Sequence, residues 1–447
     1  MKKLLAILFV LLASTSAAQQ IHRTEFSVFD LRDAALKNDH TSTERHIRFA
    51  PKQIEMVDNV EVVGQTIDLP TAWSDFNLYL HLQNCGKAYH VVVNEQLVGS
   101  VEDAITPTDF LLSPYIKQGK NEILILLQSS NTPELEAGSH KPAAERFSGS
   151  YLFAQHRKHI YDYDARIVQK GKTLALELDI VVRNDFNFEE PLLVGYDIYS
   201  PENKLIDYAV REMQVAGRSL DTLKIRTSLG EESRFLWSAT NPKLYRLTLY
   251  TKRDGKPREY ISFRLGAGES TFADGKLKRN GKEITVKSVR YNARKSYSET
   301  LAEVKALKAK GFNTLMPNNP QPEWFYDICD AVGLYVVEQA NINPTAESDN
   351  RKLGGTPSNN PALVDEYLAR LKAMYYRTRN HSCIVAYSLG GEKAGNGYNM
   401  YKGYEWLKSV EPKRAVICTS ADGEWNSDIL ARDERNAECK MQNAKFL

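Results

Sequence analysis

The sequence is short of the features that most quickly assign a protein to a class. Its 447 residues carry 58 Lys and Arg against 56 Asp and Glu, so no net charge draws the chain onto nucleic acid or an anionic membrane. Past the N-terminus no run of about eighteen apolar residues occurs, which argues against a membrane-spanning helix. The five cysteines, Cys85, Cys329, Cys383, Cys418 and Cys439, are scattered without a CxxC pair, so neither a zinc site nor a redox dithiol is expected. Their odd count and their places in predicted strands and helices read as buried free thiols, with Cys439 the exposed one in a polar tail. There is no G-x-S-x-G nucleophile elbow. Lys393-Ala394-Gly395-Asn396-Gly397 lacks the Walker spacing and the closing Lys-Ser/Thr of a phosphate loop. No cofactor is expected, no solenoid-length repeat appears, and no Pro/Ser-rich linker separates the parts of the chain.

What is there begins with an export signal. Lys2-Lys3, an apolar stretch from Leu4 to Leu12 and the small residues Ser14 to Ala18 form a secretory signal peptide over residues 1–18, with cleavage before Gln19. The apolar stretch is too short to span a bilayer permanently. A secreted or periplasmic protein is therefore expected.

Residues 19–161 read as short alternating strands, clearest at Leu78–Leu82, Tyr89–Val93 and Ile123–Leu127, with polar turns between them. That spacing predicts an antiparallel sandwich. Residues 162–270 repeat the pattern near Leu174–Val182, Leu192–Tyr199, Leu223–Thr227 and Leu244–Tyr250, a length that suits an immunoglobulin-like sandwich. Residues 271–447 change grammar after Asn280-Gly281, a dipeptide that predicts a hairpin turn. Strands are predicted at Ile284–Val289, Asn313–Met316, Leu334–Val337, Ile384–Leu389 and Ala415–Thr419. Helices fall between them at Ser298–Lys310, Pro322–Val332, Asn360–Arg379 and Tyr398–Val410. Strand and helix in strict alternation imply a parallel sheet or barrel. A closed barrel needs eight strands, and past Asp428 the chain is polar and unpatterned, so an incomplete barrel is expected. Its first and fifth strands would present open edges, which calls for a second copy or another partner to cover them.

The stretch Asn380–Glu392 is an apolar strand ending in Gly390-Gly391-Glu392, a carboxylate delivered by a glycine turn at what would be the catalytic end of a barrel strand. Around it, further segments fall in order. Ala88–Asn94, Val98-Gly99 and Gly119–Ile123 resemble the sugar-binding jelly-roll domain of glycoside hydrolase family 2, and Ser148–Tyr151 resembles the turn that follows it. Leu236–Ser238, Asn241–Tyr245 and Phe263-Arg264 resemble the end of that family's immunoglobulin-like domain. Asn280–Lys282, Lys310–Asn313, Phe325–Asp330, Gly333–Val336, Ala340–Ile342 and Asn380–Glu392 resemble its barrel.

The resemblance implies a jelly-roll, an immunoglobulin-like sandwich and a β/α barrel, and an activity like that of β-galactosidase or β-glucuronidase on a carbohydrate ligand. Retaining hydrolysis uses two carboxyl groups about 5 Å apart, a nucleophile and an acid/base. Glu392 matches the family's acid/base. The Asn that precedes it in the family is replaced by Gly391. Arg290-Tyr291-Asn292-Ala293, Met316 and Asn319 stand where the family has other polar substrate-binding residues. Asn343 and Thr345 stand where metal-using members have Glu and His, so no magnesium site is expected. No residue matches the family's nucleophile, and Glu338 and Glu424 are the two carboxylates near strand ends that offer a substitute. The expectation is a family 2 protein of impaired activity, with a non-catalytic carbohydrate-binding or scaffold protein, or the product of a shortened gene, as alternatives. Trp324, Phe325 and Tyr326 read as core, His381 as structural, and His156 and His159 as a pair without ligand spacing.

Overall fold

The computed structural model describes residues 21–39, 45–57, 60–128, 135–136, 145–230, 233–294, 296–344 and 352–429. The expected signal peptide, Thr345 and Cys439 lie outside the described residues.

The N-terminal part is a sandwich of two antiparallel sheets. One has four strands in the order His46–Arg48, Tyr151–His156, Phe76–Leu82, Thr108–Leu111. The other has five, in the order Lys52–Val57, Val60–Asp68, Lys120–Gln128, Ala88–Val93, Gln96–Val101. Alternation along each strand sends every second side chain inward. Leu78, Leu80 and Leu82 thus meet Val91, Val93, Ile123, Ile125 and Leu127 in one core.

The second sandwich sets three strands, Lys158–Lys170, Thr173–Asn184 and Ser219–Gly230, against four, Leu205–Val215, Glu190–Tyr199, Leu244–Arg253 and Lys256–Gly266. Leu174, Leu176, Leu178, Ile180 and Val182 are buried at strict two-residue spacing, the period of a strand with one face in the core. The strand from Lys158 runs through residue 162 without a break, with a bulge between Ile160 and Asp162. A small meander follows, and its turn at Asn280-Gly281 has φ of 52° and 75°. That pair of positive angles is the primed turn that fits the twist of a hairpin.

The third part is a five-stranded, wholly parallel sheet in sequential order. Its elements are β1 (Ser288–Arg290), α1 (Tyr297–Ala309), β2 (Thr314–Met316), α2 (Glu323–Val332), β3 (Tyr335–Gln339), α3 (Val364–Thr378), β4 (Ile384–Ser388), α4 (Tyr398–Val410) and β5 (Ala415–Ile417). Helix α1 starts where Ser296 Oγ accepts the Glu299 N–H at 3.3 Å and stops before Gly311, whose φ is 90°; both are ordinary helix punctuation. Strand β4 is buried at every residue, as a parallel strand covered on both faces must be.

Three local expectations change. The first barrel strand is the shorter Ser288–Arg290, because Ile284 turns back to donate its N–H to Leu277 O. Residues 361–363 form a separate 3-10 turn ahead of α3, with the Asn360 side chain accepting from Ala362 N. The edge of β5 is not bare. In a parallel ladder alternate residues face opposite neighbours; Ile417 O faces β4, accepting from Leu389 N, so Val416 and Cys418 face outward. Val416 N donates to Asp428 Oδ2 at 2.8 Å, Val416 O accepts from Asp428 N at 2.8 Å, and Cys418 N donates to Ser427 Oγ at 3.1 Å. Tyr404 and Lys408 of α4 hold the Asp428 carboxylate at 2.7 and 3.1 Å. The chain itself thereby satisfies the outward backbone groups of β5. Among the described residues, no helix is long and apolar enough to cross a membrane.

Candidate active site

The carboxyl ends of the five strands converge on a polar mouth. Its floor is made by Arg290, Met316, Val337, Gln339, Ser388, Ile417 and Thr419, packed so that no water-sized space remains between them. This is how barrel interiors are built, from layers of inward side chains, which leaves ligands to the rim above.

Glu392 lies on that rim. Its turn is closed by Ala394 N donating to Gly391 O at 3.0 Å. Two hydroxyls beyond β5 brace it, Thr419 on Gly391 O and Ser420 on Glu392 O, each at 3.1 Å. The side chain is 70% exposed and meets Arg290 Nη2 at 3.3 Å. Arg290 also donates to Gln339 Oε1 at 3.1 Å, and Gln339 donates to Asn318 O at 2.6 Å. The guanidinium therefore links strands β1, β3 and the Glu392 turn across the mouth.

The two glycines before Glu392 serve a different purpose from turning freedom, since neither has positive φ. The loop after β3 packs directly on them. A Cβ on Gly390 would sit 2.7 Å from Ile342 O, and one on Gly391 would sit 2.8 Å from Asn343 Oδ1 and 3.0 Å from its Cγ. Asn343, expected to stand in place of a metal ligand, instead occupies the space a side chain at 391 would need. Its Oδ1 also accepts the Lys393 N–H at 3.3 Å.

The β3 loop is in turn held by the N-terminal sandwich. Asn341 donates to Asp103 at 2.7 Å, Asn343 N donates to Leu135 O at 2.7 Å, and Arg370 bridges Asn341 O and Glu136 at 2.8 and 2.9 Å. Burial lifts the Glu136 carboxyl to about 7 against the pull of Arg370. Contacts between residues this far apart in sequence carry no local sequence signal.

The structure divides one of the two substitute carboxylates, Glu338, from Glu392. Glu338 is fully buried and alternates with Val337 and Gln339, so it points out of the barrel, toward α2, where Tyr326 Oη donates to it at 2.8 Å. Burial raises its carboxyl to about 8. It therefore cannot act at the mouth. Glu424 accepts from Tyr401 Oη at 2.5 Å and Asn396 Nδ2 at 3.3 Å, on the side of the mouth toward α4. Asn319 accepts from Gln321 Nε2 within its own loop, and Asn292 caps Asn318 N at 2.9 Å; these amides tie the loops after β1 and β2 together. Tyr291 is buried in the barrel core and Met316 packs against it.

At the opposite end of the barrel, Asp330, His381 and Cys383 bring three ligand-type atoms within 4.8 Å of one another. His381 Nδ1 faces Asp330 Oδ2 at 2.8 Å and Nε2 faces Glu323 Oε1 at 3.0 Å, while Asp330 Oδ1 accepts from Cys383 N at 2.7 Å. Burial lowers the imidazole's affinity for a proton, but the two acids outweigh it and raise its pKa well above the ordinary value. Burial also raises the Cys383 thiol well above its usual range. With a carboxylate at each ring nitrogen, His381 ties Glu323 and Asp330 of α2 to the start of β4, at the end of the barrel away from the mouth. Phe325 and Tyr326 are fully buried in the core, and Trp324 is partly buried beside Tyr297. His156 packs on Phe76 and His159 meets Tyr79 Oη. Cys85, Cys329, Cys383 and Cys418 are buried free thiols.

A jelly-roll-type sandwich, a second sandwich and a parallel β/α sheet with a carboxylate at the end of its fourth strand define the architecture of a glycoside hydrolase. The chain belongs to glycosyl hydrolase family 2: residues 27–136 match that family's sugar binding domain and residues 280–443 its TIM barrel domain. It is 26% identical over 377 residues to a β-galactosidase of Priestia megaterium, covering 79% of this chain and 36% of that protein. A β-galactosidase of Vibrio cholerae is 28% identical over 347 residues, covering 74% and 33%. The chain thus spans about a third of the length of these relatives. Among solved structures, a Bacteroides uniformis β-glucuronidase superposes with TM-score 0.69 at 16% identity, over 86% of this chain and 52% of that one. A β-galactosidase-type protein of Bacteroides fragilis gives TM-score 0.66 at 17% identity, over 89% and 62%.

Proposed function

We propose that this is an exported carbohydrate-metabolism protein that binds β-glycosides at the barrel mouth, and that the chain by itself hydrolyses them weakly or not at all. The observation that carries this reading is the state of Glu392. It stands at the end of β4 with its turn braced from three sides, yet its partner is Arg290. A retaining pair needs a second carboxylate across the glycosidic bond. Glu338, one of the two carboxylates the sequence offers, is turned into the barrel wall.

Glu392 retains what an acid/base needs. It is exposed to the rim, and its backbone is fixed, so a glycosidic oxygen above the packed floor lies within its reach. With no second carboxylate facing it among the described residues, the route left to Glu392 is general-acid assistance to water attack, which forgoes the covalent intermediate. Steady-state assay of p-nitrophenyl β-D-galactoside and β-D-glucuronide tests the reading. Turnover at the level of an intact two-carboxylate enzyme would overturn it; slow turnover abolished in Glu392→Gln, or none above background, supports it.

A further inference from the structure

The loop after β5 carries a feature that the mouth itself does not use. Trp425 is 56% exposed, although indole is the side chain with most apolar surface to lose from water. Its ring is nonetheless fixed. One face stacks on Tyr401 at 5.4 Å between centroids and 26° between planes, and Tyr404 meets it edge-on at 5.6 Å and 89°.

The backbone beneath it is fixed as well. Asp422 and Gly423 have φ of 50° and 89°, and Glu424 N donates to Ala421 O at 2.9 Å, a tight primed turn. Asn426 is fully buried and exchanges hydrogen bonds with Asn396 at 2.8 and 3.3 Å. Five residues upstream, Ser420 braces the Glu392 turn. Five residues reach at most about 17 Å when extended, and the turn folds them back, which bounds how far the Trp425 backbone stands from Ser420 and the Glu392 turn it braces.

We propose that Trp425 is a sugar-stacking platform that holds a pyranose unit of a β-linked saccharide beside Glu392. The ring face not covered by Tyr401 offers the negative side of its quadrupole to the C–H face of a pyranose. Glu424, tied to Tyr401 and Asn396 at the edge of the platform, supplies acceptor capacity for sugar hydroxyls. Because the aromatic stack and the loop are already rigid, little ordering is needed on binding. This inference rests on carbohydrate being the ligand of the mouth.

Isothermal titration of the full chain with lactose and with cellobiose tests it, using wild type, Trp425→Ala, Trp425→Phe and Glu392→Gln. The expected result is millimolar or tighter binding to wild type, weakened by about tenfold in Trp425→Ala and by less in Trp425→Phe, with Glu392→Gln kept for the turnover comparison below. Circular dichroism of Trp425→Ala should match wild type, with a small drop in melting temperature from the lost contacts with Tyr401 and Tyr404. Binding of both saccharides unchanged in Trp425→Ala, or no binding of either by wild type, overturns the platform. Failure of the catalytic reading is separate: Trp425-dependent binding by a protein without Glu392-dependent turnover keeps the platform. Glu392-dependent turnover with kcat and KM untouched by Trp425→Ala removes the platform alone.

Discussion

Replacing Glu338 by Gln should change the pH dependence of stability far more than the fold. Glu338 is fully buried, accepts one hydrogen bond from Tyr326 Oη at 2.8 Å, and has its other carboxylate oxygen buried without a partner. Burial raises its pKa from 4.5 to about 8. Below the unfolded-chain value both states hold the proton and titration costs nothing. Between the two values the folded chain holds a proton that the unfolded chain has released, so stability falls as pH rises. Above the folded value the loss is complete. At roughly 1.4 kcal/mol per pH unit for one proton, the loss amounts to on the order of 4–5 kcal/mol across that window. Gln keeps the acceptor for Tyr326 and cannot ionise. Urea denaturation of both proteins from pH 5 to pH 9 reads the difference directly. The stability of Glu338→Gln minus that of wild type should rise steadily from pH 5 to 8 and then level. A constant difference would refute the assignment of Glu338 to the barrel wall and return it to solvent at the mouth.

Two further substitutions probe the supports around the mouth. Gly391→Asn places a Cβ 2.8 Å from Asn343 Oδ1 and should destabilise by about 1–3 kcal/mol through overpacking; adding Asn343→Ala should recover at least about 1 kcal/mol of that, whereas additive denaturation energies would show that the two residues do not compete for space. Asp428→Ala removes the acceptor for Val416 N, Tyr404 Oη and Lys408 Nζ. It should cost about 2–4 kcal/mol and, by baring the β5 edge, promote self-association seen on size-exclusion chromatography; an unchanged midpoint and elution volume would show that the edge does not depend on it.

The sequence made the strand–helix alternation legible because β3 and β4 are short apolar runs and the helices between strands are punctuated, as at Ser296 and Gly311. Glu392 was legible as the residue that ends the fourth strand. The facing of Glu338 was not: a strand buried on both faces gives no polar alternation to say which residue points inward. The role of Asn343 was hidden for a different reason, because its contact with Gly391 joins segments that local pattern cannot relate. The same holds for the cluster of Asp330, His381 and Glu323, and for the Asp428 cap, which lies in a polar stretch with no strand pattern. Trp425 carried a faint signal, a large aromatic just after an Asp-Gly turn, and only its exposure marks it out.

Among the described residues Glu392 stands at the mouth paired with Arg290 and not with a second carboxylate, and covalent trapping tests that most directly. A 2-deoxy-2-fluoro β-glycosyl fluoride lets a nucleophilic carboxylate attack the anomeric carbon and expel fluoride, then stalls because the glycosyl ester hydrolyses slowly. Intact-mass spectrometry of the full chain after incubation with the galactosyl and glucuronyl reagents should show the unmodified protein. A stoichiometric glycosyl adduct that maps to a single Asp or Glu would contradict this and identify the nucleophile.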